Sequence, residues 1–311
     1  MSLFLKLFDT AAQYSAYTAD TSNFIKPNVS VIEETNGVAY HPYVPETRVV
    51  AMFYVEDTSE PTLIMDEYSR SFSAIEIDGV EQQSVVTSYT FSSTGEHTVK
   101  YTLTAQTTID GYAFMNCSSL TSITIPNNVT TIGRGAFEYC TSLTSIDIPS
   151  GVTSIGDNAF QHCTSLTSID IPSGVTNIGD STFNSCNRLT SVTIPDSVTT
   201  IGNNAFYQCG ILKSIDIPSG VTSIGYQAFQ YCTSLTSIDI PSGVTSIGGS
   251  AFMRCDFLTS ITIQVTIPPT LGEDAFMFTD NCPIYVPSGS VNAYKAASSW
   301  SDYASRIQAI P

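Results

Sequence analysis

The stretch AFQHCTSLTSIDIPSGVTNIG occupies residues 159–179, and nearly the same string, AFQYCTSLTSIDIPSGVTSIG, returns at residues 228–248. The copies differ at His162, which Tyr231 replaces, and at Asn177, which Ser246 replaces. An active site is needed once, so a string that a chain writes repeatedly indicates architecture rather than chemistry.

The repeat has a fixed period of 23 residues. Two residue types mark it. Cysteines stand at 117, 140, 163, 186, 209, 232 and 255, and phenylalanines at 114, 137, 160, 183, 206, 229 and 252. The unit reads I-G-x-x-A-F-x-x-C-x-x-L-x-S-I-x-I-P-x-x-V-x-x. A period of this length is typical of a solenoid, in which no unit can bury its apolar face alone.

Each unit contains one short predicted strand, L-x-S-I-x-I-P, for instance from Leu166 to Pro172. Because side chains alternate along a strand, the inward positions are expected to be Leu166, Ile169 and Ile171, and the outward ones Ser168 and Asp170. Strands stacked about 4.8 Å apart would form a parallel sheet roughly 34 Å long.

The opposite side of each unit is predicted to be a helical turn. In GDNAFQHC, residues 156–163, such a turn would carry Phe160 and Cys163 into the core. Pro172 and Gly156 mark the corners between the two sides. The predicted fold is therefore an α+β solenoid with a parallel β-sheet built from 23-residue repeats.

This unit resembles the BspA-type leucine-rich repeat, whose hallmark stands here as IPNNVTTIGRGAFEYCTSL from Ile125 to Leu143. The resemblance covers residues 104–287, including a degenerate eighth unit, LGEDAFMFTDNCP, and continues into a C-terminal cap at residues 288–311. We expect a helix from Ala293 to Ala309 to cover the last coil, with side chains Tyr294, Trp300, Tyr303 and Ile307. The resemblance implies adhesion at cell surfaces to host proteins or other cells.

Residues 46–103 have a different texture, with alternating segments such as RVVAMFYVED and EHTVKYTL and a turn signal at Asp78-Gly79. They predict a small antiparallel β-sandwich of immunoglobulin-like shape that caps the solenoid. Residues 1–45 are predicted to be an anchoring leader, with a helix over DTAAQYSAYTAD and a hairpin at Asn36-Gly37. The leader PNVS…TNGVAYHPY is similar to segments of virion proteins from gut-bacterial phages and prophages.

Composition excludes some partners. The net charge is −17 and the pI about 4.2, so the chain would repel nucleic acid. No apolar run is long enough to predict membrane insertion. The first residues, MSLFLKLFDTAAQ, lack the features of a secretory signal, which leaves either a route without export or a removed signal.

The cysteine ladder allows two interpretations. Stacked coils bring Cys140 and Cys163 together, so a disulfide or zinc chain is conceivable, although the tight clusters of metal sites do not occur. The favoured interpretation is that each thiol is reduced and buried, and donates weakly to a carbonyl. With three histidines and no nucleophile–base constellation, we predict no catalytic residue, no cofactor, no metal site and no enzymatic activity.

The outward strand position forms a column whose acidic members are Asp147, Asp170, Asp216 and Asp239. Consecutive aspartates would lie roughly 5 Å apart, and like charges at that distance are destabilising. One interpretation is solubility and protection against aggregation. The other is a ligand-binding face for Ca²⁺, a cation or a sugar, with a flanking column of serines.

A second candidate surface lies at variable positions of the predicted helical turn: Tyr139, Tyr207, Tyr226, Tyr231 and Arg254. Variation inside a copied unit marks positions that the fold does not dictate, and Tyr and Arg are enriched at binding hot spots. Alternatively, the tyrosines only lie flat over neighbouring coils.

Two functional hypotheses follow, both non-enzymatic. The first is a phage virion component, such as a head or tail fibre or a decoration protein, with virion partners bound through residues 1–103. The second is a bacterial surface adhesin that binds a protein or glycan ligand on a cell surface. The lack of a recognisable secretory signal favours the first hypothesis unless a signal was removed, since virion proteins leave the cell by lysis and need none. Homo-oligomers through residues 1–45 are compatible with a fibre.

Overall fold

The computed structural model describes residues 48–67, 71–104, 107–279 and 282–311. The helix predicted over residues 9–20 and the hairpin predicted at Asn36-Gly37 lie outside the described residues.

The N-terminal part is an antiparallel sheet whose long strands alternate buried and exposed side chains, as half-buried strands do. Its strands are β1 (Arg48–Val55), β2 (Thr62–Leu63), β3 (Phe72–Ile77), β4 (Val80–Glu81), β5 (Ser88–Tyr89) and β6 (Gly95–Leu103). β6 pairs with β1 and β3, and the predicted turn at Asp78-Gly79 joins β3 to β4. β2 and β5 form a separate two-stranded ribbon. The immunoglobulin-like shape stays a prediction.

The repeats form eight successive coils, each built around one core phenylalanine from Phe114 to Phe276. One side of the coils, the main face, carries β8 (Leu120–Thr124), β10 (Ser145–Asp147), β12 (Ser168–Asp170), β14 (Ser191–Thr193), β17 (Ser237–Ile240), β19 (Ser260–Ile263) and β21 (Ile284–Val286). A second side carries β7 (Thr108–Ile109), β9 (Thr131–Ile132), β11 (Ser154–Ile155), β13 (Asn177–Ile178), β15 (Thr200–Ile201), β16 (Ser223–Ile224), β18 (Ser246–Ile247) and β20 (Thr270–Leu271).

All pairing between coils is parallel and in register with the repeat. Ser168 lies opposite Ser191, and Ile178 lies opposite Ile201. The predicted alternation is confirmed, because Ile169 is buried while Ser168 and Asp170 are exposed. The predicted parallel-sheet solenoid is therefore the observed fold.

The third side is not helical, which corrects the predicted helical turn: the described residues 107–279 contain no α-helix. Alternate amides point along the solenoid instead, so that the N–H groups of Phe160 and His162 donate to the carbonyls of Thr182 and Asn184 in the next coil, at 2.9 and 2.8 Å. A helix would direct those amides back along its own chain. The residues between them close short turns, as where Gln161 N–H donates to Asn158 O.

The core consists of columns of identical side chains. Phe114, Phe137 and their equivalents to Phe276 stack face to face at centroid separations of 5.2–5.6 Å. All eight cysteines are free and buried. The Sγ of Cys140 donates to the carbonyl of Phe114 in the preceding coil at 3.1 Å, and each cysteine from Cys163 to Cys255 repeats this bond. The structural interpretation of the thiols is confirmed.

Glycine in the I-G step lets neighbouring coils approach closely. A Cβ on Gly225 would lie 2.5 Å from the carbonyl carbon of Gly202, and one on Gly248 would lie 2.5 Å from that of Gly225. At the same step, Gly225 N–H donates to Ile201 O at 2.8 Å. A larger residue would push apart two backbones that are held together by hydrogen bonds.

The N-terminal sheet covers the first coil. β1 pairs antiparallel with β8, so the main face continues directly into β6 and β3. The rings of Phe72 and Tyr101 pack on Phe114 at 5.7 and 5.3 Å, in the place that a preceding phenylalanine would take. Asp66 N–H donates to the carbonyl of Ala113. In the next coil the equivalent carbonyl, Ala136 O, accepts the N–H of Phe114 from the preceding coil.

The C-terminal cap is shorter in helix than predicted. The only α-helix among the described residues is α1 (Val291–Ala296); turns of 3-10 helix follow Pro287 and Trp300, and β22 (Ile307–Ala309) pairs with β21 as a last rung. Ala297 is extended, which ends the helix before the predicted Ala309.

The predicted covering side chains are in place. Trp300 and Tyr294 are buried, and Trp300 packs on Phe276 at 5.9 Å. Tyr303 Oη accepts the N–H of Phe276. The equivalent amide of Phe252 donates to Ala275 O in the next coil, so Tyr303 takes the place of a further coil. The predicted domain boundaries at residues 45, 103 and 287 stay predictions.

Replacing Gly225 by alanine is expected to lower the free energy of unfolding by about 1–3 kcal/mol, because the new methyl group meets the backbone of Gly202. Gly289→Ala is the control, since a Cβ there would have no atom within 4 Å. Denaturant unfolding followed by circular dichroism measures both, and an equal loss in the two variants would contradict the close-approach account.

The thiols are expected to resist modification in the folded protein. Burial raises the pKa of Cys186 and of Cys232 to about 12, so little thiolate forms at neutral pH. An Ellman titration should count at most a small fraction of the eight cysteines in native buffer and all of them in guanidinium chloride. Rapid reaction of the native protein would contradict the buried ladder.

Candidate functional site

The four predicted aspartates lie exposed on the main face, as expected from the register. Asp147 lies opposite Thr124, Asp170 opposite Thr193, and Asp239 opposite Thr262. Thr193 donates its hydroxyl to Asp170 Oδ1 at 2.6 Å. Each of these aspartates therefore has a threonine as its paired neighbour.

The main face is interrupted where two aspartates follow each other, which corrects the prediction of one continuous sheet. Within the described coils, no strand pairing joins β10 to β12, the step from Asp147 to Asp170, and residues 214–216, with Asp216, form no strand beside β17. The amides of the third side still bond across both steps. Like-charge repulsion weakens directly opposed rungs, but it is not the whole cause. The second side is also interrupted at the first step, between β11 and β13, and β14 with Thr193 does not pair with residues 214–216.

Metal chemistry has little support from this geometry. Among the residues with described positions, no group of three or more His, Cys, Asp and Glu side chains is arranged to hold a metal ion. Use of the acidic column as a binding face stays a prediction.

Asp147→Thr is expected to raise the free energy of unfolding by about 0.5 kcal/mol at low salt, because it replaces an opposed charge by the residue that other rungs carry. The gain should shrink as salt screens the repulsion. Asp196→Ser, which removes a charge outside the strands and restores the residue of other coils, is the control. Thermal melts at two salt concentrations measure both, and a loss of stability in Asp147→Thr would contradict the repulsion account.

The second candidate surface is the turn face, which we define as the exposed side of the positions three before, one after and two after each core phenylalanine. The position two after that phenylalanine is left-handed in every coil, with φ of 60° at Tyr139, 62° at Tyr231 and 64° at Arg254. Asn116 and Ser185 take the same conformation in other coils. This region favours glycine and asparagine, so bulky residues in it are strained.

The structure brings three of the predicted tyrosines together. The rings of Tyr207 and Tyr231 meet edge to face at 5.7 Å, and Tyr226, half exposed, accepts a hydrogen bond on its hydroxyl from Gln227 Nε2 at 3.0 Å. Burial and, after it, the proximity of Tyr231 and Tyr226 raise the pKa of Tyr207. We call Tyr207, Tyr226 and Tyr231 the tyrosine cluster.

The other two predicted residues lie apart from the tyrosine cluster. Tyr139, three coils before Tyr207, stacks on His162 at 4.4 Å, and burial lowers the pKa of that histidine. The guanidinium of Arg254 lies 4.3 Å above the ring of Phe278. Tyr139 and Arg254 therefore each pack on a side chain of the next coil, and a binding role for them stays a prediction.

Gln230 is a residue of this face that sequence reasoning missed. It is only 4% exposed, its Nε2 contacts Met253 Sδ at 3.3 Å, and its Oε1 has no hydrogen-bond partner. It occupies the same repeat position as Tyr207, one coil on. Native proteins seldom bury an acceptor unpaired, so the group calls for an explanation. The sequence signal for its burial was that the same repeat position carries an apolar residue, Met253 and Met277, in the two following coils.

A half-open cavity of about 460 Å³ lies between the last coil and the cap. Its lining combines Glu273, Asp274 and Asp302 with Met277 and Tyr303. Burial raises the pKa of Tyr303, whose hydroxyl accepts the N–H of Phe276 in the last coil. The cavity is acidic, and it was not predicted.

Comparison with known families matches the BspA type leucine rich repeat region, in six copies, over residues 84–212 and 153–285. The matched residues span more than half of the 311-residue chain. The chain belongs to the BspA-type leucine-rich repeat family. Comparison with curated proteins finds no significant match.

Solved structures of leucine-rich repeat proteins are similar to this BspA-type chain. A T. pallidum leucine rich repeat protein is 34% identical, with a TM-score of 0.46, over 49% of this chain and 71% of that one. A leucine rich cell surface protein from Faecalibacterium prausnitzii is 28% identical, with a TM-score of 0.31, over 64% and 83%. A leucine-rich repeat protein from Bacteroides ovatus is 20% identical, with a TM-score of 0.28, over 80% and 98%.

Membership of the BspA-type family supports a binding role for the repeats. In the part of the chain that the structure describes, no helix combines the length and the apolar character that crossing a bilayer requires.

Gln230→Met is expected to raise the free energy of unfolding by about 1 kcal/mol, because methionine fills a similar volume without an unpaired oxygen. The matched control is Gln161→Met at the same repeat position, where the glutamine side chain accepts a hydrogen bond from Asn158 Nδ2. That variant should lose stability. Chemical denaturation of both proteins measures the contrast, and destabilisation by Gln230→Met would show that its oxygen is satisfied.

Proposed function

We propose that this chain is a non-enzymatic recognition protein that binds a protein or glycan ligand at a cell surface through its turn face. The observation that carries the proposal is the placement of large side chains in strained backbone. Tyr139, Tyr231 and Arg254 occupy left-handed positions where Asn116 would fit with less strain. Packing on the next coil supplies one reason for Tyr139 and Arg254, and a contact with a ligand supplies a further reason for large side chains where asparagine would fit.

The tyrosine cluster is the centre of the proposed site. Tyrosine rings supply large contact area at low conformational cost, and their hydroxyls add hydrogen bonds, which suits both protein and glycan partners. Gln230, the residue before Tyr231, is buried beneath this cluster, and its Oε1 has no hydrogen-bond partner.

The proposed contact is tested by returning the face to the residues of other coils. The variant carries Tyr139→Asn, Tyr207→Asn, Tyr226→Asn and Tyr231→Asn, because asparagine stands at the equivalent positions Asn116, Asn184, Asn203 and Asn116. Labelled full-length protein is added to host and bacterial cells, and bound protein is measured by flow cytometry. Binding should fall about tenfold or more while the melting temperature holds or rises, since asparagine tolerates the left-handed region.

The control variant is Asp147→Thr with Asp216→Thr on the main face. Its binding should equal that of the unmodified chain. If instead this variant loses binding and the asparagine variant keeps it, the acidic column is the contact surface and the turn-face proposal fails.

The virion hypothesis remains a distinct proposal, in which residues 1–103 would contact particle proteins. It predicts that an antibody against the repeats labels phage particles from the source bacterium. Labelling of the bacterial envelope alone would contradict it.

A further inference from the structure

A second exposed surface appears when each coil is compared with the others. Two residues after the cysteine, four coils carry serine: Ser119, Ser142, Ser165 and Ser234. The remaining three carry Arg188, Ile211 and Phe257 at this position. Ile211 is 41% and Phe257 68% exposed, so neither apolar side chain contributes to the core.

Lys213 belongs to the same surface. It is exposed, as Ile211 is, and the buried Leu212 lies between the two in the sequence. The equivalent residue is threonine in six other coils, from Thr121 to Thr259. We define the basic–apolar patch as Arg188, Ile211, Lys213 and Phe257.

The lysine weakens the join between coils. In the threonine column each hydroxyl donates to the carbonyl of the preceding coil, as Thr190 does to Thr167 O and Thr236 does to Lys213 O. Lys213 has no hydroxyl, so the side-chain hydrogen bond to the carbonyl of Thr190 in the preceding coil is not made. The main face also forms no strand at the adjoining residues 214–216. A residue that weakens the solenoid and faces solvent is explained by a contact outside it.

The charge of the patch is unusual in this chain. The described residues 107–279 contain only four Lys or Arg side chains, namely Arg134, Arg188, Lys213 and Arg254, in a protein of net charge −17. Neither Arg188 nor Lys213 forms an ion pair with a described residue. Asp216 and Asp256 lie at the border of the patch. Two free cations beside exposed apolar groups form a local exception in an acidic surface.

We propose that the basic–apolar patch docks a short acidic segment of a partner protein. Unpaired cations fit acidic side chains, while Ile211 and Phe257 offer apolar contacts that a purely anionic glycan could not use. The patch spans three coil steps, about 14 Å along the solenoid, which about four to five residues of an extended peptide would cover at about 3.1 Å each. A peptide segment suits that size.

The spacing of the apolar groups defines the segment further. Ile211 and Phe257 are two coils apart, about 9.6 Å. A polyproline II helix repeats every three residues and rises about 9.3 Å in that distance, so residues i and i+3 would face both groups. The inference does not rest on the turn face, because none of the four patch residues belongs to it.

The test uses the full chain and a fluorescein-labelled peptide, Glu-Glu-Leu-Pro-Pro-Leu-Glu-Glu, in anisotropy titrations. We expect saturable binding that weakens as salt rises to about 0.5 M. One variant restores the residues of other coils: Arg188→Ser, Ile211→Ser, Lys213→Thr and Phe257→Ser. Its affinity for the peptide should be lower by about tenfold or more. Its melting temperature should hold, because the changes are exposed and consensus-like.

Three controls make the result specific. Arg134→Asn removes one positive charge outside the patch and introduces the residue found at the equivalent position 203. This variant should bind the peptide like the unmodified chain. Two control peptides should bind at least several-fold more weakly. In one, Leu-Pro-Leu-Pro replaces Leu-Pro-Pro-Leu, so that the leucines are two residues apart instead of three; in the other, lysine replaces each glutamate. The proposal is overturned if the labelled peptide does not bind, if Arg134→Asn loses as much as the patch variant, or if a heparin oligosaccharide depends on the patch and outcompetes the peptide.

Discussion

Hydrogen bonds between backbones 23 residues apart hold this molecule together. On the main face and the second side they are parallel strand bonds, and on the third side they run from one turn to the next, as from Phe160 to Thr182. No coil can satisfy its own amides, so each depends on its neighbours. The close approach at glycines such as Gly225 and the phenylalanine stack are consequences of this spacing. Where repulsion or a missing hydroxyl loosens a step, as around Asp216, the other sides of the coil still hold.

The repeat unit made the core predictable, because a fixed period forces equivalent residues into one environment. Phe160, Cys163 and Ile169 were predicted inside and are buried. The turn conformation was not predictable in the same way, since the left-handed position two after the phenylalanine also carries His162 and Tyr231, which do not signal a positive φ. The cap helix was predicted to extend to Ala309, whereas tertiary pairing placed Ile307–Ala309 in a strand.

The candidate surfaces were predictable to different degrees. Variation within a copied unit pointed to Tyr207, Tyr226 and Tyr231, but only coordinates show that they meet. Gln230 gave a weak signal, because burial of a polar group cannot be seen from its neighbours in sequence. The pairing of β1 with β8 is likewise a long-range event that no local pattern encodes. What unites the surfaces is a separation between an interior that the repeat dictates and an exterior that each coil can vary.

The two ends of the solenoid are chemically different. On the turn side the first coil presents a carbonyl, Ala113, and receives Asp66 N–H, while the last presents an amide, Phe276, and meets Tyr303 Oη. Without those terminations the same complementarity would join copies head to tail into a filament. With them, insertion or loss of a whole 23-residue unit leaves both ends unchanged and alters the reach of the molecule by about 4.8 Å. The architecture thus permits lineages to lengthen or shorten the array by recombination between near-identical segments.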